Sequence, residues 1–233
     1  MSSTRPIFEM QDVAKDFAGP SETVHVLRRV QLQVEPGESV AILGASGSGK
    51  TTLLHLLGTL DTPSQGRVLF EGRDLARMVP SERAVFRNRK LGFIFQQHHL
   101  LPEFSALENV AMPGLIDGLS WSESLRRAAT ALKVVGLSER ADFAVNTLSG
   151  GERQRAAIAR AILMAPKALL ADEPTGSLDE STGRNVGDML LHLNRELGMT
   201  LVVVTHNMEL ARKMDRQLEL HSGELYAHSP RQA

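Results

Sequence analysis

An apolar run, Ser39-Val40-Ala41-Ile42-Leu43, breaks into Gly44-Ala45-Ser46-Gly47-Ser48-Gly49-Lys50-Thr51 and resumes as Thr52-Leu53-Leu54. This G-x-x-x-x-G-K-[ST] spacing constrains the chain more than any other stretch. It requires a buried strand, a tight loop and a helix, in that order. Glycines let successive backbone N–H groups turn inward on an anion, and the helix start adds a favourable dipole. Gly44, Ala45, Ser46, Gly47, Ser48, Gly49 and Thr52 would form the cradle. Lys50 would place a point charge on the β- and γ-phosphates, and the Thr51 hydroxyl would hold Mg²⁺. A ligand-free glycine turn would explain the residues but not their strand-to-helix setting. Nucleotide binding is the expectation.

The same rhythm returns later. Ala168 to Ala171 and Thr200 to Val204 are short apolar runs, and Thr182 to Leu197 between them has helical period. Apolar strands alternating with helices predict a mainly parallel sheet covered on both faces, an α/β fold. Before the loop, Val30-Gln31-Leu32-Gln33-Val34 alternates, which predicts an N-terminal antiparallel part. Gln217 to Leu220 and Glu224 to Tyr226 flank Ser222-Gly223, as in a closing hairpin. Residues 97–165 lack the strand rhythm. Leu125, Ala128, Ala129, Leu132 and Val135 instead predict an amphipathic helix over Glu123 to Val135. The chain therefore reads as one domain, 1–233, with a core of 1–96 and 166–233 and an inserted α-helical lobe at 97–165.

Composition narrows the chemistry. With 26 basic against 27 acidic residues there is no bulk field to recruit nucleic acid. The absence of cysteine removes disulfides, thiolate metal sites and cysteine nucleophiles. The opening residues hold no apolar stretch of signal-peptide type, and the longest apolar run, Ala161 to Ala165, is far too short to span a bilayer. Any membrane contact is expected through partners.

Two further motifs carry chemistry. Leu169-Leu170-Ala171-Asp172-Glu173 places two carboxylates at a strand end, where parallel sheets bind ligands. Alone, such residues are usually just solvated. Beside a phosphate loop, Asp172 can complete a Mg²⁺ shell, and Glu173 can orient or deprotonate an attacking water. Leu148-Ser149-Gly150-Gly151-Glu152-Arg153-Gln154-Arg155 precedes an alanine-rich helix. Ser149 and Glu152 make a capping box, which accounts for them but not for Gly150-Gly151. The glycines suggest a second phosphate contact.

This last stretch resembles the signature motif of ATP-binding cassette (ABC) ATPases, and the resemblance extends along the whole chain. It implies a phosphate-loop ABC ATPase core with an α-helical lobe. Phe17 then resembles the aromatic residue that stacks on adenine. Gln96 resembles the glutamine that touches nucleotide and Mg²⁺. Ser177-Leu178-Asp179 resembles the D-loop, and His206 the switch histidine. Thr51, Gln96 and Asp172 become the implied metal ligands, with Glu173 and His206 the implied catalytic pair. Two copies would pair head to tail, each ATP lying between one phosphate loop and the other copy's Leu148, Ser149, Gly150, Gly151 and Glu152. Phe17, Val145 and Asn207 depart from the usual tyrosine, proline and aspartate without removing a catalytic group.

Within the family, Leu53 to Gly58, His98 to Phe104, Ala106 to Pro113 and Arg216 to Leu220 are most similar to the ATPase subunits of bacterial lipoprotein-releasing systems. That similarity implies two membrane subunits as partners and a peripheral place on the cytoplasmic face of the inner membrane. It also implies ATP-driven release of lipoproteins toward a periplasmic chaperone. The run Leu100-Leu101-Pro102-Glu103-Phe104 would then dock on the membrane subunits. Macrolide-exporter and cell-division cassettes share much of this pattern. DNA-repair ABC ATPases carry long insertions, zinc sites or a basic excess that this chain lacks.

Overall fold

The computed structural model describes residues 5–19 and 22–227. The first four residues, part of the segment read above for a signal peptide, lie outside it.

A four-stranded antiparallel sheet forms first. Its strands are β1 (Phe8–Ala18), β2 (Thr23–Val34), β4 (Gln65–Phe70) and β5 (Arg73–Asp74), ordered β2-β1-β4-β5. The alternation read in the first forty residues covers β1 and β2; β4 and β5 are additions from the structure.

The second sheet has six strands. They are β3 (Ser39–Leu43), β6 (Leu91–Ile94), β7 (Ala168–Asp172), β8 (Thr200–Val204), β9 (Arg216–His221) and β10 (Glu224–Ala227), ordered β10-β9-β3-β8-β7-β6. The pairings of β9, β3, β8, β7 and β6 are parallel, and β10 closes the edge as the expected antiparallel hairpin.

Alternate residues of the central strands enter different cores. Ala41, Leu169, Ala171, Leu201 and Val203 join the helices on one face, whereas Val40, Ile42, Leu170, Val202 and Val204 pack toward the antiparallel sheet and α1 (Lys50–Leu57). Both faces being covered is why these strands read as unbroken apolar runs. Each Val, Leu or Ile among them contributes roughly 1.5–3 kcal/mol on removal from water.

α2 (Pro80–Lys90) precedes β6. Between β6 and β7 lie α3 (Ala106–Ile116), α4 (Trp121–Val134) and α5 (Gly150–Ile162). They share one continuous core with the sheet face, through Val110, Ala111, Ala128, Leu132, Ile158 and Ala159. The lobe is therefore packed on the sheet and has no separate interior. Helix starts fall at caps that periodicity alone does not reveal. α4 begins two residues before the predicted Glu123 because Ser120 accepts from Glu123 N. α6 (Glu180–Leu197) begins early because Asp179 accepts from Thr182 N. α7 (Met208–Arg212) is capped by Asn207.

The run Leu100 to Phe104 differs from a free docking segment. Leu100 packs on the helical core, while Leu101 remains 44% exposed. The fully buried Asn109 holds the turn, accepting from Leu101 N and donating to the carbonyls of Leu101, Phe104 and Ser105.

Candidate functional site

The carboxyl ends of β3, β7 and β8 meet beside the start of α1, as the register Ile42↔Val204 and Asp172↔Val204 requires. A cleft of about 620 Å³ opens there. Of the residues proposed from sequence it gathers Ser46, Gly47, Gly49, Lys50, Thr51, Thr52, Gln96, Asp172, Glu173 and His206.

Gly44 and Gly49 show why the loop excludes side chains. Gly49 has φ 100°, and a Cβ there would stand 3.0 Å from Val26 Cγ1. At Gly44, φ is 156° and a Cβ would lie 2.5 Å from the Leu220 carbonyl oxygen. With Gly49 as its cap residue, α1 starts without any side-chain cap, so its first amides stay available to an anion. The Ser48 hydroxyl is buried and has no partner among the described residues. Lys50, 9% exposed, folds its ammonium back onto the loop, donating to Gly44 O at 2.8 Å and Ala45 O at 2.9 Å.

Across the cleft, Thr51 Oγ1 donates to Asp172 Oδ2 at 2.9 Å. Burial pushes the Asp172 carboxyl up; the Thr51 hydrogen bond opposes this, and the neighbouring Glu173 charge adds to it. A half-buried carboxylate next to a hydroxyl, with room for phosphate oxygens and water, suits Mg²⁺, which takes few protein ligands in such sites. The donor set fits.

Glu173 follows β7 directly, with its N–H donating to Val204 O at 2.9 Å. Its backbone is left-handed at φ 44°, a strained state for a non-glycine residue. One carboxylate oxygen accepts from Thr205 Oγ1 at 2.9 Å and from His206 N at 3.3 Å; the other lies 2.9 Å from His206 Nδ1. An ionised carboxylate only accepts, so with Glu173 ionised Nδ1 carries the hydrogen and Nε2 is left for other partners.

Several proposed residues lie apart from this cleft lining. Phe17 is 41% exposed at the end of β1, with the Lys15 ammonium 4.8 Å from its ring centroid. Ser149 and Glu152 form the expected capping box at the start of α5, and Arg140 pairs with Glu152 at 3.1 Å. Ser149 is exposed, and a Cβ on Gly150 would meet only Leu178 at an ordinary 3.5 Å. Leu148 is buried beneath them. Ser177 donates to the Gln96 carbonyl at 3.4 Å, Leu178 packs on the helical core, and Asp179 caps α6. Val26 is the lining residue that sequence reasoning missed. It belongs to the other sheet, and nothing local announces its approach to the loop.

Residues 27–176 match the family model described as ABC transporter. The chain is 59% identical, over 97% of its length and 98% of the relative's, to the lipoprotein-releasing system ATP-binding protein LolD of Oleidesulfovibrio alaskensis. It is 61% identical, over 97% of both chains, to the LolD protein of Nitratidesulfovibrio vulgaris. Among solved structures, the ATP-binding cassette MJ0796, dimeric and bound to ADP and Pi after hydrolysis, superposes with a TM-score of 0.87. It is 39% identical, over 94% of this chain and 96% of that one.

Proposed function

This chain belongs to the ABC transporter family, and from that we propose that it is the ATP-hydrolysing subunit of a lipoprotein-releasing system. The observation that carries the reading is near-full-length identity of about 60% to proteins bearing that function in their names. The rival read from sequence is an efflux-type cassette, which would assemble with a different class of membrane protein.

The chemistry follows from the cleft. ATP places its phosphates on the loop, and Lys50 exchanges two backbone carbonyls for the β- and γ-phosphates. Thr51 and Asp172, with Gln96 nearby, would hold Mg²⁺, which when bound neutralises phosphate charge. Glu173 takes the proton of the attacking water, and His206 braces Glu173 and the outer phosphate. Phe17 stacks on adenine. The dimeric state of the MJ0796 cassette supports pairing of two copies. In that pair Ser149 and Gly150 of one copy would face the nucleotide of the other, backed by the buried Gly151. Ser177 to Asp179 would line that interface. Residues 97–165 act as the lobe that passes closure to two membrane subunits on the cytoplasmic face of the inner membrane. None of the described helices is long and apolar enough to cross a membrane.

The test is reconstitution. The chain, co-expressed with candidate membrane subunits, should assemble with them and drive ATP-dependent release of a lipoprotein from proteoliposomes to a periplasmic chaperone. Assembly instead with an efflux-type membrane protein would overturn the substrate while leaving the ATPase assignment in place.

A further inference from the structure

We propose that Thr205 is a positioning residue for hydrolysis, its hydroxyl fixing the Glu173 carboxylate in the orientation that receives the proton of water. The inference rests on Glu173 being the base. Parallel pairing of β7 with β8 sets Asp172 against Val204, so Glu173 and Thr205 leave adjacent strand ends together. Thr205 is fully buried, and its N–H donates to Ile42 O at 3.1 Å, extending the ladder to β3.

The hydroxyl has no freedom in this setting. Asn207 N donates to it at 3.0 Å, and a backbone N–H cannot accept. The single hydroxyl proton is therefore committed to Glu173 Oε2, 2.9 Å away. Two other features make that bond matter. Glu173 sits at a strained φ of 44°, a conformation that persists only where the surroundings over-determine it. On the same oxygen the His206 N–H is a longer contact at 3.3 Å, and the other side-chain partner, the His206 ring, is 71% exposed at the open side of the cleft. The imidazole can swing; Thr205 cannot. Its β-branched side chain, with few rotamers, is the fixed half of the clamp.

The experiment compares Thr205→Val, nearly isosteric, with Thr205→Ser in the ATPase complex assembled with its membrane subunits. Valine should lower kcat roughly tenfold, the scale for losing a hydrogen bond to a charged group, while KM for ATP stays within about twofold. Serine should restore most of the rate. In single-turnover hydrolysis on a Glu173→Gln background, Thr205→Val should cause no further loss, because the amide it still holds cannot act as the base. If valine does not fold, Thr205→Ala carries the same cycle. Wild-type kcat in the valine variant, or an equal additional loss on the Glu173→Gln background, overturns the positioning role. Wild-type turnover in Glu173→Gln alone overturns the base reading beneath it, a separate and recognisable failure.

Discussion

A Cβ on Gly151 would stand 2.5 Å from Thr182 Cγ2, so α5 and α6 touch at a point where only glycine fits. Gly150, one residue earlier, faces no such wall. The two signature glycines therefore do different things. Gly151 serves packing inside the chain, while Gly150 and the exposed Ser149 are free to meet another copy.

That separates two outcomes. Gly151→Asp is expected to destabilise the isolated chain by roughly 1–3 kcal/mol, as overpacking does. Gly150→Asp should leave thermal melting and nucleotide binding near wild type yet prevent ATP-dependent dimerisation. Melting curves and size-exclusion chromatography with Mg-ATP check both. A Gly150→Asp chain that still dimerises with ATP would remove the signature stretch from the nucleotide interface.

Lys50→Ala should abolish tight ATP binding. A charge-assisted contact is worth roughly 1.5–3 kcal/mol, and Lys50 also tethers two loop carbonyls. Titration calorimetry measures the first effect and melting the second. Near-normal affinity would count decisively against the phosphate placement.

Glu173→Gln keeps the shape of the clamp, since Thr205 can still donate to an amide oxygen. It should bind Mg-ATP, hydrolyse it about 10²–10⁴ times more slowly and accumulate as a closed dimer. Turnover within a few-fold of wild type would rule out Glu173 as the base.

Acid should loosen the strand that carries the phosphate loop. The Ser39 hydroxyl and N–H both donate to Asp215 Oδ2, at 2.6 and 2.9 Å, and hold that carboxyl below its usual range. A depressed native pKa stabilises the fold above the unfolded carboxylate pKa and loses that contribution as pH falls through the native one. Ser39→Ala should reduce stability near pH 7 by about 1 kcal/mol, a figure kept small because Asp215 is open to water. The difference from wild type should shrink below about pH 4. A pH-independent difference in urea midpoints would show that the carboxylate is not involved.

The docking segment can be divided in the same way. Leu101→Asp should spare the fold and weaken assembly with the membrane subunits, whereas Leu100→Asp should damage the helical core itself. Pull-down with the membrane subunits and circular dichroism distinguish the two. Full lipoprotein release by Leu101→Asp and Phe104→Asp chains would show that this run is not the coupling surface.

Local rules made much of this molecule legible in the linear chain. Gly44 to Thr51 specified strand, loop and helix because glycine spacing and apolar flanks act over a few residues. The strands Ser39–Leu43 and Thr200–Val204 announced themselves because both their faces are covered. Helix starts were less legible, because Asp179 and Ser120, as caps, start α6 and α4 two residues before the periodic stretches begin. Assembly decided the rest. Val26 reaches Gly49 from the other sheet, and Thr205 meets Glu173 across 32 positions, because sheet register joins residues that no local spacing relates. The division of labour between Gly150 and Gly151 depends on the approach of α6 at Thr182. Strand order and helix packing are set by long-range burial, and a sequence pattern records which faces are buried but not what buries them.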